Sequence, residues 1–211
     1  MNKINKKRHL KMKLQSIPPH PNPKVGLEQY TTPAIISADL IWNANSLGDI
    51  ENRNVLDLGC GSGIFTIASA LMGANSACGV DVDEESISLA RQTSEKLELD
   101  NVEYVLSDVC DYDGAFKADT IIQNPPFGSQ RKAKTGADLN FVKKACELEA
   151  GVLYSFHMAS TEEFLIDFYQ NNGLNITHIF RYNFPIPKIY EFHTKEKQDV
   201  NVIVFRALFD F

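Results

Sequence analysis

Asn124, Pro125, Pro126 and Phe127 stand together at the end of a short apolar run. Two successive prolines hold the backbone extended and keep the chain out of a helix. The Pro125 carbonyl is then available as an acceptor, and the Asn124 side-chain oxygen is a second one. Two acceptors at one place suit a planar amine that carries two hydrogens. Phe127 offers a flat face for a ring bearing that amine. An aromatic amine is a poor nucleophile because its lone pair is spread into the ring. Hydrogen bonds to both of its protons favour the pyramidal form, whose lone pair can be aimed at an electrophile. A methyl group on a sulfonium, attacked in line, is such an electrophile. Positioning is then the main catalytic device, and effective molarity can supply about 7–11 kcal/mol of a barrier of this kind. The chemistry needs no metal and no obligatory general base. Taken alone, the tetrapeptide could equally be a rigid turn after a strand.

Asp57-Leu58-Gly59-Cys60-Gly61-Ser62-Gly63-Ile64 is the second informative stretch. Alternate glycines after a strand and before a helix permit a tight turn and let a ligand lie against the backbone. A dinucleotide fingerprint needs a third glycine where Ile64 stands, and no phosphate-binding G-x-x-x-x-G-K-[ST] string is present. A nucleoside cofactor without a pyrophosphate fits better. Asp81, at the end of the next strand, can accept hydrogen bonds from both ribose hydroxyls. Each such bond to a charged group is worth about 1.5–3 kcal/mol. Asp108, after a third strand, can reach an adenine amino group from the same sheet edge. Either aspartate alone reads as a solvated loop carboxylate. On successive strand ends behind a glycine turn, they point to a cofactor site.

These residues require a sheet to carry them, and the pattern supplies one. Strands are expected at Asn54–Leu58, Ala77–Asp81, Val102–Leu106, Thr120–Gln123 and Val152–Phe156. Helices are expected over 64–72, Glu84–Leu97, Leu139–Glu149, and from Thr32, as N-cap with Pro33 in the first turn, to Asn45. Ser160 with Glu163 reads as a capping box for a helix to Gln170. Two late β segments, Ile176–Tyr182 and Val200–Phe209, have no helix between them and should pair antiparallel. The expected fold class is α/β, one mostly parallel seven-stranded sheet covered by helices on both faces, with an antiparallel C-terminal strand.

The chain has 211 residues and a net charge of −6, unevenly spread. Residues 1–24 carry Lys3, Lys6, Lys7, Arg8, Lys11, Lys13 and Lys24 and no acid, ending among four prolines. The rest holds 14 basic and 27 acidic residues. The expected organisation is a basic, flexible N-terminal arm (1–24) before one domain (25–211). The arm is either simply solvated or a tether for an anionic polymer. No apolar run is long enough to span a bilayer, and Met1 opens a basic stretch without the apolar core of a secretory signal. Cys60, Cys78, Cys110 and Cys146 are too scattered for a zinc site built from this chain alone, and read as buried reduced thiols of a cytoplasmic protein.

On these motifs the chain resembles the class I S-adenosylmethionine-dependent methyltransferases of the N-P-P-[FY] group. More closely it resembles the methyltransferase-like family that methylates an adenine N6 of small-subunit ribosomal RNA, with archaeal relatives. The similarity also includes Leu27-Glu28-Gln29-Tyr30, Asp108-Val109-Cys110, Tyr154-Ser155 with His157, and Tyr190-Glu191-Phe192-His193. The fold implied is the Rossmann-like class I one. The resemblance implies cofactor contacts from Gln29, Thr32, Gly59, Gly61, Ser62, Ile64, Asp81, Asp108 and Val109, and target-adenine contacts from Asn124, Pro125, Pro126 and Phe127. It also implies ribosomal RNA as substrate and a small zinc-binding activator subunit of the Trm112-like kind that pairs strand to strand. Thr31 stands where the family has proline. The loop Ser129–Asp138, with Arg131, Lys132 and Lys134 between Gly128 and Gly136, reads as a mobile lid that touches RNA. His157, His178 and His193 read as packing or surface residues, with His193 near enough to two aromatic residues to line a substrate cleft. Rival readings are a protein-glutamine or DNA-adenine N-methyltransferase, since a carboxamide nitrogen is also planar with two hydrogens, and a non-catalytic ribosome-assembly factor.

Overall fold

The computed structural model describes residues 4–24, 29, 31–127, 136–187 and 197–210. Within them the order is α1 (Lys7–Leu14), α2 (Ala34–Ser46), β1 (Asn54–Leu58), α3 (Ile64–Leu71), β2 (Ser76–Asp81), α4 (Glu84–Lys96), β3 (Val102–Leu106), β4 (Thr120–Gln123), α5 (Ala137–Glu147), β5 (Val152–Met158), α6 (Glu162–Asn171), β6 (Leu174–Pro187) and β7 (Lys197–Phe209). The seven strands form one sheet in the order β3-β2-β1-β4-β5-β7-β6. β1 runs parallel to β2 and β4, and β2 to β3 and β4 to β5 likewise. β7 alone is reversed, antiparallel to both of its neighbours.

The strands form because their side chains are apolar on both faces. Val55 of β1 joins the core under α1, α2 and α3, while Leu56 and Leu58 join the core under α5 and α6. β5 alternates in the same way, with Tyr154 and Phe156 on the first face and Leu153 on the second. This register matters for function. Leu58 lies opposite both Val80 and Gln123, and Asp81 opposite Leu106, so β1 to β4 all end at one edge of the sheet.

Several details differ from the sequence expectation. The N-terminal stretch is not a solvated arm throughout. α1 buries Leu10 and Leu14, Ile17 follows at 7% exposure, and all three join the core beneath α2. Leucines four apart share one helix face, which burial against α2 rewards. Pro33 is the N-cap of α2 rather than its first helical residue, and Thr32 makes no cap. Ser160 lies in a short 3-10 turn over Ala159–Thr161, and Thr161 precedes α6 without a side-chain cap bond, so the expected capping box is absent. The late strands are longer than their apolar cores suggest, because backbone pairing continues from Asn183↔Asn201 to Pro187↔Lys197. Cys60 and Cys78 are buried free thiols, but Cys110 is exposed. His157 is buried between Ser155, Tyr169 and Asp138, and His178 is exposed beside Phe180. Leu27, Glu28, Tyr30, His193 with its neighbours, and 128–135 of the basic loop lie outside the described residues.

Candidate active site

One pocket sits on the edge where β1 to β4 end, lined by Gly59, Gly61, Ser62, Ile64, Asp81, Asp108, Val109, Asn124, Pro125, Pro126, Gln29 and Thr32 among others. The glycine turn and the diproline corner therefore face a common space, as the chemistry inferred from the sequence requires.

The turn folds back because Gly59 and Cys60 both donate their N–H groups to the Val80 carbonyl, at 2.8 and 3.0 Å. Gly63 then starts α3 in the left-handed region at φ +80. A Cβ there would stand 2.8 Å from Tyr104 Oη and 3.0 Å from Ala90 Cβ, so a side chain is excluded both by conformation and by space. Asp57 does not line the pocket. Its carboxylate accepts from Thr66 N at 3.0 Å and Thr66 Oγ1 at 2.8 Å, which ties the first turn of α3 to β1. Burial pushes its carboxyl up to about 7 despite those two bonds.

Asp81 is oriented in advance. Oδ2 accepts from Gly61 N at 2.8 Å and Oδ1 from Asp83 N at 2.9 Å. Each oxygen keeps a further acceptor direction for a ligand hydroxyl. Burial raises this carboxyl above the usual range, while the backbone N–H groups act in the opposite sense. Asp108 accepts from Cys110 N at 2.8 Å, which aligns the short turn carrying Val109 against the pocket.

Asn124 carries the sharpest feature. Its Nδ2 donates to Thr32 Oγ1 at 2.9 Å. That bond holds the amide with Oδ1 at the other end, and Oδ1 is buried without a partner. A buried unpaired acceptor costs about 1–3 kcal/mol, so this position makes sense if a donor arrives with the substrate. A nucleoside with two ribose hydroxyls at Asp81 and a donor-bearing amine at Asn124 both fit these acceptors.

Phe127 is placed differently from the expectation. It is not among the lining residues, and its ring meets Phe184 edge-on, with centroids 6.4 Å apart. Among the described residues, the phenyl rings that line the pocket are those of Phe65 and Phe141. Phe141 approaches the glycine turn so closely that a Cβ on Gly59 would lie 3.0 Å from its ring. Phe141 carries no local sequence signal, since its place depends on how α5 packs. His20, also in the lining, sits in the proline-rich end of the basic stretch read as an arm. Gln29 lines the pocket and accepts from Lys24 N at 2.8 Å.

Residues 40–153, more than half of the chain, match the methyltransferase small domain family. An uncharacterised protein of Methanocaldococcus jannaschii is 41% identical over 95% of this chain and 93% of its own length. The rRNA N(6)-adenosine-methyltransferase METTL5 of Danio rerio is 34% identical, over 95% of this chain and 98% of its own. A crystal structure from Pyrococcus horikoshii, provisionally titled an RNA methyltransferase, superposes with a TM-score of 0.88 at 34% identity, covering 99% of this chain and all of that one.

Proposed function

The chain belongs to the methyltransferase small domain family, and from that premise we propose that it is an S-adenosylmethionine-dependent N6-adenine methyltransferase acting on small-subunit ribosomal RNA. The observation that carries this reading is the buried, unpartnered Asn124 Oδ1 in the same pocket as the preoriented Asp81 carboxylate. When bound, S-adenosylmethionine supplies an electrophilic methyl group on a sulfonium.

The chain's own residues do the rest. Asp81 accepts from the ribose hydroxyls, and a phosphate at that position would be repelled by its charge. Asp108 and Val109 border the adenine end, and Gly59, Gly61 and Ser62 admit the ligand against the backbone. Gln29, Thr31 and Thr32 close the pocket from the N-terminal side. Asn124 Oδ1 would accept from the target amine and favour the pyramidal form whose lone pair can attack a methyl group. Pro125 and Pro126 keep that acceptor rigid. Preset donors and acceptors cost no reorganisation at the moment of reaction. The adenine must leave its stack to enter, at a cost of a few kcal/mol, which favours a single-stranded or bulged site.

The protein-glutamine reading is weaker, because relatives matched along nearly the whole chain are described as rRNA adenosine enzymes. A small zinc-binding Trm112-like subunit is part of the proposal. β3 is an outer strand of the sheet, and Leu106 at its end is about half exposed, which suits pairing with a partner strand. The proposed site of action is the cytoplasm. Among the described residues no helix is long and apolar enough to cross a membrane.

The test is mass spectrometry of nucleosides from ribosomal RNA incubated with the protein and S-adenosylmethionine, with and without such a subunit. N6-methyladenosine is the expected product. Methylated glutamine in protein with unmodified RNA overturns the proposal.

A further inference from the structure

A short segment upstream of the glycine turn is clipped across the rim of the pocket. Ile17 anchors it in the core, and the chain then passes through His20, Asn22 and Lys24. His20 lines the pocket with its side chain only 5% exposed. The Asn22 backbone N–H donates to His20 Nδ1 at 3.0 Å. Nδ1 is therefore unprotonated, and the ring carries its proton on Nε2. That N–H donates to Asp83 Oδ2 at 2.8 Å. The Lys24 ammonium binds the other Asp83 oxygen, and Asn22 Nδ2 donates to Glu85 Oε1 at 3.2 Å.

Asp83 is well placed to fasten this segment. It is the N-cap of α4 and also accepts from Ser86 N and Ser86 Oγ. Burial alone would raise its carboxyl, but the bonds from Lys24, His20 and Ser86 outweigh that and hold it well below the usual carboxylate range. Ligand atoms of His20, Asp83 and Glu85 lie within 4.8 Å of one another. The Lys24 ammonium already seated on Asp83 opposes a metal cation there, and the His20 Nε2 lone pair is taken up by its proton. The cluster is a hydrogen-bonded clip. It reaches the pocket at two further points, because Asp83 N–H donates to Asp81 and Lys24 N–H to Gln29.

We propose that residues 20–24 are a latch over the cofactor site: His20 is its pocket-facing wall, the Lys24–Asp83 pair its fastening, and it must open for S-adenosylmethionine to enter and S-adenosylhomocysteine to leave. This rests on the reading of the pocket as the S-adenosylmethionine site. With both ring nitrogens engaged, His20 confines the ligand by bulk and contact, and its role is positioning.

The experiment is stopped-flow measurement of S-adenosylhomocysteine release from the full-length protein. Lys24→Met removes an exposed fastening and should speed release up to about fivefold, the range of a surface ion pair. His20→Ala removes the wall and a bond to a charged group, and should speed release about tenfold or more. Lys7→Met, which breaks only the remote Lys7–Asp39 pair, should leave release unchanged. Wild-type release rates in both Lys24→Met and His20→Ala, with binding intact, overturn the latch. An equal acceleration in Lys7→Met also overturns it, since general loosening of the N-terminus would then be the cause. A wild-type protein that fails to bind S-adenosylhomocysteine overturns the pocket reading itself. The exposed Lys24 position keeps the test informative if His20→Ala unfolds.

Discussion

Replacing Asn124 with alanine separates binding from turnover, because the structure gives the two ends of its amide different tasks. Nδ2 is held by Thr32 Oγ1 at 2.9 Å, and Oδ1 is buried and waits for a donor. Losing the neutral Nδ2 bond costs about 0.5–1.5 kcal/mol of stability. Losing the acceptor removes a hydrogen bond to an amine that becomes positively charged as it is methylated, worth about 1.5–3 kcal/mol. At about 1.4 kcal/mol per factor of ten, kcat should fall about 10- to 100-fold. Cofactor affinity should move by less than about threefold, or ~0.7 kcal/mol, since Asp81 and the glycine turn are untouched. Thr32→Val is the graded companion. It keeps the acceptor but removes the group that orients it, so amide orientations with the NH2 group facing the pocket become comparably populated. A bond of about 1 kcal/mol biases the two orientations about fivefold, so equalising them lowers the competent fraction, and the rate, about twofold. Single-turnover transfer of labelled methyl to an adenine-containing ribosomal RNA fragment, together with calorimetry of cofactor binding, measures both quantities. An Asn124→Ala rate within twofold of wild type refutes the assignment. A Thr32→Val defect as deep as that of Asn124→Ala refutes the orienting role.

Four other outcomes follow from the same geometry. Asp81→Ala should weaken cofactor binding about 100-fold or more, the worth of two hydrogen bonds to a charged group, as read by calorimetry. In the wild type, affinity should fall as pH drops through the Asp81 pKa, and at a higher pH than for an ordinary aspartate, because burial raises that group and only its ionised form accepts two hydroxyls. Gly63→Ala forces a Cβ to 2.8 Å from Tyr104 Oη at φ +80. Strain of about 1–3 kcal/mol should lower the melting temperature by about 3–10 °C, and an unchanged melting temperature refutes the steric reading. Asp57 titrates near 7 when folded and about 4 when unfolded. Its contribution to stability is therefore full below pH ~4 and is lost as pH rises to ~7, by a few kcal/mol. Denaturant titrations at pH 5 and 8 should show that loss in the wild type and a smaller one in Asp57→Asn.

Much of the site was legible in one dimension because its parts are local. Asn54–Leu58 ends at glycines, and a strand that stops at such a turn delivers the next residues to the sheet edge. Asp81 ends β2 and Asn124 directly follows β4, so alternation of strand and helix was enough to bring them together. The leucine pair of α1 was present as well, but seven positive charges in the first 24 residues dominate that stretch. Two leucines become core only when α2 presents a face to them. Phe127 shows the opposite limit. Its motif suggests a stacking platform, yet its ring meets Phe184, far along the chain on β6, edge-on.

Sequence alone determined the order of the strands and of the helices from α2 onward, the turn glycines and the acceptors that each strand end carries, because steric limits and apolar periodicity act over a few residues. Contacts between distant segments settled the rest: Thr32 turns the Asn124 amide, Asp83 captures His20 and Lys24, and Phe141 rather than Phe127 faces the pocket. Those choices depend on which surfaces meet when the chain closes, and short-range rules contain no information about that.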